Sequence, residues 1–313
     1  MGYAVSLIEE FVSHIEKIDC EVDASLSAWT TFRVGGHAAA LVRVTTKQQL
    51  LQVMQAIHRV QIPFFVLGGG SNLLMSDTGF DGVVIRLKGD LARIDVHANK
   101  QEIVAGAGAA FPALTRAAVQ EGCQSAVGWA GTPGTVGGAL CMNAGSRLGE
   151  IGDVVHRVEG IANGYLCQIP RQDIVFSYRH SSLRLLDVLT CVWLRFQGDS
   201  SKAQQYQQQV RQQLSKRRLS QPKGSSAGSV FRNPPGDFAG RLIEACGLKG
   251  RRVGKAEISQ QHANFIINTG DACAQDIYAL SCIVRREVKR VFGVLLEYEM
   301  LCVGQFQEPA DQK

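Results

Sequence analysis

The sequence lacks the short motifs that mark several common classes of protein. It has no CxxC pair, no HxxxH or HExxH spacing, no GxxxxGK[ST] loop and no GxGxxG run that opens a helix. The missing cysteine and histidine spacings argue against a metal site, and the missing glycine motifs argue against a P-loop and a Rossmann fold. We therefore expect no metal ion in this protein.

Charge is also sparse and evenly spread. Charged residues make up 19% of the chain, the formal net charge is +5, and no run of like charge exceeds Lys216-Arg217-Arg218. Nucleic-acid-binding proteins concentrate basic residues on one surface, whereas mild basicity suits a small anionic ligand. We expect a small-molecule ligand and no nucleic acid.

Long hydrophobic runs are absent too. The longest uncharged stretch, 122–146, is interrupted by several glycines and by Pro133, and Glu9 and Glu10 break the apolar N-terminal segment. These interruptions argue against a membrane-spanning helix and a secretory signal. The nine cysteines have mostly apolar neighbours, which is typical of reduced thiols. We expect a cytoplasmic protein that binds no membrane.

Glycine, by contrast, is abundant and clustered. The chain has 33 glycines, and the first cluster, Gly68-Gly69-Gly70, directly follows a strand-like segment. Because glycines have no Cβ, their N–H groups can converge on an anion, and Ser71 and Asn72 add side-chain donors. A tight turn would require only one glycine, so we interpret the cluster as a phosphate-binding loop.

A second glycine-rich segment covers residues 130–145. It is longer than any turn requires, and its small residues can lie along a diphosphate and a flat ring without steric bulk. Two such segments in one half of the chain predict a single large dinucleotide that spans both.

Periodicity predicts a mixed α and β protein. Apolar residues recur at helical spacing over 5–18, over 46–60, and from about 274 to a C-cap at Gly293. The glutamine-rich segment 203–219 is either low-complexity sequence or an exposed helix with a narrow apolar seam, and we favour the helix. The predicted strands are 41–44, 64–67, 83–85, 102–104, 154–161, 188–196 and 294–303.

Seven segments together resemble the UDP-N-acetylenolpyruvoylglucosamine reductase (MurB) family. In chain order they are 31–36 (TFRVGG), 68–74 (GGGSNLL), 133–145 (PGTVGGALCMNAG), 176–181 (FSYRHS), 228–234 (GSVFRNP), 239–244 (AGRLIE) and 262–265 (HANF). The short stretch between Arg179 and Ser229 resembles the shorter class of this family, which lacks a tyrosine-bearing substrate loop.

The resemblance implies an α+β fold. It predicts a two-part FAD-binding domain of the vanillyl-alcohol-oxidase (PCMH) type at 1–88 and 89–198, followed by an α+β substrate-binding domain at 199–313. The family motifs imply these FAD-binding residues: Leu67, Gly68, Gly69, Gly70, Ser71, Asn72, Leu73, Thr132, Pro133, Gly134, Thr135, Gly137, Gly138, Asn143, Ala144 and Gly145.

The resemblance also implies a reaction, the NADPH-dependent reduction of UDP-N-acetylglucosamine enolpyruvate to UDP-N-acetylmuramate through N5 of FAD. It implies that Arg179 polarises the substrate carboxylate, that Ser229 donates the proton, and that Glu299 assists Arg179. Strand alternation would place Glu297 and Glu299 on one face, so only the family register selects Glu299. The sequence departs from the family motif at Arg232, which replaces a lysine, and after Glu299, where Met300-Leu301 replaces Val-Arg.

Further residues of the C-terminal part are candidates for binding the nucleotide sugar. They are Arg218, Arg232, Asn233 and Lys255, chosen by charge and position. Arg217 is equally well explained as a solvated helix end, and His262 receives no catalytic role. We expect a monomer whose ligands are the nucleotide sugar and NADPH.

Two alternatives to the reductase remain open at this point. One is an oxidase of the same fold that uses oxygen and covalently linked FAD. The other is a nucleotide-sugar-binding module without redox chemistry. Release of flavin on denaturation would exclude the first, and a bound-flavin spectrum would exclude the second.

Overall fold

The computed structural model describes residues 2–308, without the side chains of residues 2–6. Its helices are α1 (Gly2–Ser13), α2 (Lys47–Val60), α3 (Phe111–Gln120), α4 (Val136–Cys141), α5 (Ala203–Ser220), α6 (Ala239–Ala245) and α7 (Ala274–Phe292). Its strands are β1 (Asp19–Ser25), β2 (His37–Val44), β3 (Phe64–Val66), β4 (Leu73–Met75), β5 (Phe80–Leu87), β6 (Ile94–His97), β7 (Glu102–Gly106), β8 (Gly145–Ser146), β9 (Gly149–Glu150), β10 (Val155–Ala162), β11 (Tyr165–Pro170), β12 (Phe176–Ser177), β13 (His180–Ser181), β14 (Val188–Arg195), β15 (Arg252–Val253), β16 (Ala256–Ile258), β17 (Ile266–Asn268) and β18 (Leu301–Val303).

The chain divides into two compact units. Unit 1 comprises residues 2–22, 39–69 and 82–217, and unit 2 comprises residues 23–38, 70–81 and 218–308. Both units therefore contain segments from distant parts of the sequence. The domain boundary predicted at 88/89 separates a four-stranded sheet from a five-stranded sheet, both described below.

Helix α2 and a four-stranded sheet form the first layer of unit 1. The sheet has the order β1-β2-β5-β3, with β3 parallel to β5. The helix predicted over 46–60 is confirmed: the Thr46 side chain caps its N-terminus, and Leu50, Val53 and Ile57 are buried. The helix predicted over 5–18 ends earlier, at Ser13, and Lys17 has a φ of 68° that no α-helix allows.

An antiparallel five-stranded sheet with the order β11-β10-β14-β7-β6 forms the second layer. The central strand β14 is buried along most of its length, as its run of apolar residues predicts. Helix α5 covers the glutamine-rich segment, which confirms the helix prediction there, and its only fully buried residue is Tyr206.

Unit 2 is built around helix α7. Its amphipathic spacing buries Ile277, Leu280 and Val284, and Gly293 ends the helix with a φ of 70°, both as predicted. Three antiparallel strands, β15-β16-β17, lie in the same unit. A two-stranded parallel pair joins β18 to β4.

The strand predicted over 294–303 is mostly wrong, because only residues 301–303 form one. Residues 297–299 instead make single backbone contacts with residues 230–232, including one isolated bridge between Tyr298 and Phe231. Because these residues do not form a strand, strand alternation does not place the two glutamate side chains on one face: Glu297 is exposed, whereas Glu299 is half-buried. Among the described residues, no helix combines the length and apolar composition needed to cross a membrane.

Candidate active site

The two predicted glycine segments meet in unit 1. A Cβ built on Gly68 would lie 2.6 Å from Thr135 Oγ1, and one on Gly69 would lie 2.7 Å from Gly134 Cα. Only glycine permits this approach, since Cβ atoms do not occur that close to other heavy atoms. The two segments thus form one continuous backbone surface.

The first segment presents unused hydrogen-bond donors. Within residues 2–308, the amides of Gly68, Gly69, Gly70, Ser71 and Asn72 donate no hydrogen bond to another protein group. Successive amides without acceptors favour an anion such as a phosphate. In the second segment, the Val136 and Gly137 amides already donate to Ala109 O (2.9 Å) and Ala107 O (2.8 Å).

Asn143 serves mainly to hold the fold together. Its side chain is buried, donates to Glu150 and to Ser177 O (3.3 Å), and accepts from the Gly152 amide (3.1 Å). Because these bonds occupy the carboxamide, a contact of Asn143 with the cofactor would come from its backbone. The bond to Ser177 ties the β12–β13 hairpin to the second glycine segment.

Arg179 lies at the tip of that hairpin. Strands β12 and β13 pair antiparallel on either side of Tyr178 and Arg179. Arg179 has a φ of 54°, a left-handed conformation that costs a non-glycine residue roughly 1–3 kcal/mol. Its Nη1 donates to Gly145 O (3.3 Å), which places its guanidinium beside the second glycine segment.

Arg217 is a residue that sequence analysis undervalued. It is not a solvated helix end: its Cδ would lie 2.8 Å from a Cβ on Gly131, and its Nη1 donates to Gly131 O (3.2 Å). Burial, together with the nearby charge of Arg179, lowers the pKa of Arg217. Two arginines therefore face a common region of unit 1, which favours an anionic group there.

In unit 2 the backbone of Glu299 is bonded to Val230, the residue after Ser229. The Glu299 amide donates to Val230 O (2.9 Å), and the Asn72 side chain donates to Glu299 O (2.9 Å). The Leu301 amide returns a bond to Asn72 O (2.9 Å). One network within unit 2 thus joins Asn72, the residue after Ser229, and Glu299.

The predicted substrate-binding residues have different environments. Arg232 lies 3.7 Å from the carboxylate of the exposed Glu297, and Asn233 Oδ1 accepts from the Ala239 amide (3.0 Å) at the start of α6. Arg218 and Lys255 are exposed. All four belong to unit 2, so the structure places them in one body with Ser229.

Comparisons with known proteins give the family of this chain. A profile of the UDP-N-acetylenolpyruvoylglucosamine reductase C-terminal domain matches residues 220–303, and an FAD-binding domain profile matches residues 38–164. A reductase of this name from Desulforamulus reducens is 38% identical over 91% of this chain and 94% of its own length. The chain belongs to the UDP-N-acetylenolpyruvoylglucosamine reductase family.

Two more members of this reductase family show how far the similarity extends. A relative of the same name from Anaeromyxobacter sp. is 42% identical over 91% of this chain and 88% of its own length. The crystal structure of the reductase (MurB) from Thermus caldophilus has a TM-score of 0.75 and 36% identity, covering 91% of this chain and 98% of that one. The predicted α+β fold with a PCMH-type FAD-binding domain is confirmed, as is an oxidoreductase of peptidoglycan precursor synthesis acting on a nucleotide sugar.

The residues present fit FAD. The free amides of residues 68–72 and the Gly69–Gly134 contact provide a donor-rich surface without side chains. In addition, Trp129, which precedes the second glycine segment, is fully buried, and its Nε1 has no hydrogen-bond partner among the described residues. A buried donor without an acceptor is rare and fits a site that a ligand completes.

We expect Gly69→Val and Gly134→Val to release FAD. Valine at 69 would clash with Gly134, and valine at 134 would have to adopt a φ of 96°. The ratio of flavin to protein absorbance after gel filtration measures the loss. Gly236→Val is the control for backbone strain alone, because Gly236 has a φ of 77° but a Cβ there meets nothing within 4 Å, and it should retain FAD. Full retention in both cradle variants would contradict this location of the cofactor.

Proposed function

We propose that this protein uses NADPH and FAD to reduce UDP-N-acetylglucosamine enolpyruvate to UDP-N-acetylmuramate. The observation that carries the proposal is the Asn72–Glu299–Val230 network of unit 2, which links the Asn72 side chain to the residue following Ser229. When bound, FAD takes a hydride from NADPH and supplies it from N5 to the substrate alkene. The remaining steps fall to the protein's own side chains.

In this proposal FAD is held by both glycine segments. The amides of residues 68–72 bind its diphosphate, and the backbone of residues 132–138 and 143–145 lines the rest of the cofactor. Leu67, Ser71, Asn72 and Leu73 complete the first segment. The support is the close contact of the two segments at Gly68–Thr135 and Gly69–Gly134.

Arg179 binds and polarises the substrate carboxylate. A guanidinium offers a fixed fork of donors that a carboxylate accepts, and the bonds strengthen as negative charge grows. The left-handed backbone of Arg179 supports this role, because strain at a non-glycine residue is typical of functional positions. Arg217 adds a second positive charge to the same region.

Ser229 donates the proton to the carbanion-like centre, and Glu299 assists at the carboxylate. An alcohol is a weak acid, so the donation depends on neighbouring charge. Two ionised carboxylates would repel each other, so Glu299 acts either protonated or beside a cation. Arg218, Arg232, Asn233 and Lys255 then bind the UDP diphosphate and sugar.

We further propose that residues 1–88 and 89–198 form the two parts of the FAD-binding domain and that 199–313 form the substrate-binding domain. The change of sheet near residue 88 supports the first boundary. We propose a cytoplasmic monomer, the compartment on the basis of its nine free cysteines. We also propose that it binds neither nucleic acid nor membrane, on the basis of its low and evenly spread charge.

Anaerobic mixing tests the reaction directly. NADPH should bleach the flavin absorbance near 450 nm (about where oxidised flavins absorb), and the enolpyruvyl nucleotide should then restore it. Recovery only after oxygen is admitted would favour the oxidase, and a colourless protein would favour a binding module. Flavin that stays with the denatured chain would also favour the oxidase.

We expect Glu299→Gln to slow flavin reoxidation by substrate by about 10²-fold or more, the scale of one lost transition-state contact. Reduction of the flavin by NADPH should stay near normal. Glu297→Gln is the matched control: Glu297 is exposed and its nearest cation is Arg232, so reoxidation should change little. Stopped-flow measurement of both half-reactions decides. If Glu297→Gln slows reoxidation and Glu299→Gln does not, the alignment of this segment with the family motif is wrong by two residues.

A further inference from the structure

We propose that Asn264 is the positioning residue that fixes the catalytic hydroxyl of Ser229. This inference rests on the proposed function, in which Ser229 donates the proton. Asn264 does not touch Ser229 itself. It acts by clamping the backbone of the two residues that follow.

Three hydrogen bonds form the clamp. Asn264 Nδ2 donates to Phe231 O (2.8 Å), Asn264 Oδ1 accepts from Phe231 N (3.0 Å), and Asn264 O accepts from Val230 N (2.9 Å). The side chain is 3% exposed. A carboxamide is the uncharged side-chain group that offers a donor and an acceptor side by side, as a paired strand would. Asn264 therefore pairs with the backbone of Phe231 in the way that a neighbouring strand would.

The backbone before Ser229 is held four residues away, where Ser225 O accepts from the Asn268 amide (2.9 Å). Gly228 has a φ of 76°, and a Cβ built there would meet nothing within 4 Å. The Ser229 hydroxyl has one side-chain torsion, so its position follows the backbone of residues 229–231. The described restraint nearest to Ser229 is therefore at residues 230 and 231, which are hydrogen-bonded to Asn264.

The clamp also fixes the position of the Ser229 segment relative to the Glu299 segment. Val230 donates to Asn264 O through its amide and accepts from the Glu299 amide through its carbonyl (2.9 Å). The Phe231 ring stacks on Tyr298 at 5.3 Å between centroids. Moving Phe231 would therefore displace the serine and the carboxylate segment together.

His262 supports the clamp from the opposite side. Its Nδ1 accepts from the Asn264 amide (3.2 Å), and its ring lies edge-on to Phe265 at 4.8 Å. Burial lowers the pKa of His262. A neutral ring with its proton on Nε2 matches this acceptor role.

Asn264→Asp tests the clamp through pH. An ionised carboxylate still accepts from Phe231 N but cannot donate to Phe231 O, whereas a protonated carboxyl does both. Burial raises the pKa of a carboxyl well above its usual ~3.9, so acidification from about pH 8 should restore the donor. We expect reoxidation to fall about 10²-fold at the alkaline end, the scale of an ångström-sized misplacement, and to recover as pH falls. Flavin reduction by NADPH should be unchanged.

Controls separate this effect from other titrations near the site. The wild-type pH profile is the baseline, because ionisable groups surround the clamp: His262, Arg232, Glu297, Tyr298 and Glu299, with Glu244 and Lys249 beside His262 and Arg285 beside Tyr298. Asn268→Asp is the matched variant: the Asn268 side chain donates to Phe32 O and accepts from the Gly270 and Ala272 amides, and only its backbone amide, which the substitution keeps, bonds to the loop of Ser229, at Ser225 O. It should reoxidise at the wild-type rate and follow the wild-type profile.

The double variant decides whether Asn264 acts through Ser229. Adding Asn264→Asp to Ser229→Ala should slow reoxidation much less than Asn264→Asp slows the wild type, because the serine is already gone and only the Glu299 segment is left to be displaced. A further loss of similar size, or equal loss in both half-reactions, would overturn the positioning role. Wild-type reoxidation by Ser229→Ala alone would instead refute the proposed function and leave the clamp as a structural feature.

A second variant covers the case in which Asn264→Asp does not fold, as judged by bound flavin and melting temperature. Asn264→Gln keeps both hydrogen-bonding groups but adds one methylene, so it should slow reoxidation at every pH without acid recovery. Wild-type reoxidation by Asn264→Gln would overturn the proposal. In the wild type, hydrogen exchange should show a protected Phe231 amide, and rapid exchange there would contradict the clamp.

Discussion

Ser229→Ala is expected to keep FAD and to be reduced by NADPH at the normal rate, while its reoxidation by substrate slows about 10²–10⁴-fold. That range is usual for the loss of a positioned proton donor. The structure supports selective loss, because Ser229 is half-buried in unit 2 and no described hydrogen bond of its hydroxyl contributes to the fold. Stopped-flow absorbance of the two half-reactions measures the effect.

Ser226→Ala is the matched control for that experiment. Ser226 lies in the same loop and is also half-buried, but it precedes Gly228 and, among the described residues, is not bonded to those of the clamp. It should reoxidise at the wild-type rate. Equal losses in the two half-reactions of Ser229→Ala would show that the serine supports the cofactor site rather than proton transfer.

Two substitutions of Arg179, by alanine and by glycine, should have the same effect on activity but different effects on stability. Arg179→Ala and Arg179→Gly both remove the guanidinium, so both should slow reoxidation by about 10²–10³-fold, the scale of a lost electrostatic contact. Their stabilities should differ, because alanine must still adopt a φ of 54° and glycine does so without strain. We expect the free energy of unfolding of the glycine variant to be about 1–2 kcal/mol higher than that of the alanine variant.

Urea titration of the two Arg179 variants gives that difference, and stopped flow gives the rates. Comparing them with each other cancels the lost bond to Gly145 O and the lost contact with the Tyr178 ring. Arg179→Lys keeps the charge without the fork, so its rate should fall between those of the wild type and alanine. Equal stability of the alanine and glycine variants would show that the backbone conformation at 179 is not strained. Normal reoxidation would remove Arg179 from the reaction.

Features that depend on local sequence were predictable. Helix α7 follows from apolar spacing and a C-terminal glycine, and the first glycine segment follows from three adjacent residues without Cβ. The contact of Gly69 with Gly134 agrees with a ligand that spans both segments, although the sequence could not show the contact itself.

Features that depend on partners distant in sequence were not predictable. The burial of Arg217 requires Gly131, and the single backbone bridges at 297–299 require residues 230–232. Residues 294–300 have the composition of a strand, but they lack a continuous partner strand. Likewise, nothing in the sequence around Asn264 indicates that its side chain pairs with Phe231.

The composition of unit 2 has a consequence for how the chain matures during synthesis. Its core includes Phe32, Val34 and Leu74 together with residues of α6 and α7. Phe32, Val34 and Leu74 are synthesised long before helix α7, so during most of translation these apolar side chains lack their native neighbours. A fragment limited to residues 199–313 would lack them and leave its core incomplete. Unit 2 can therefore complete its core only after helix α7 has left the ribosome and met the early segments 23–38 and 70–81.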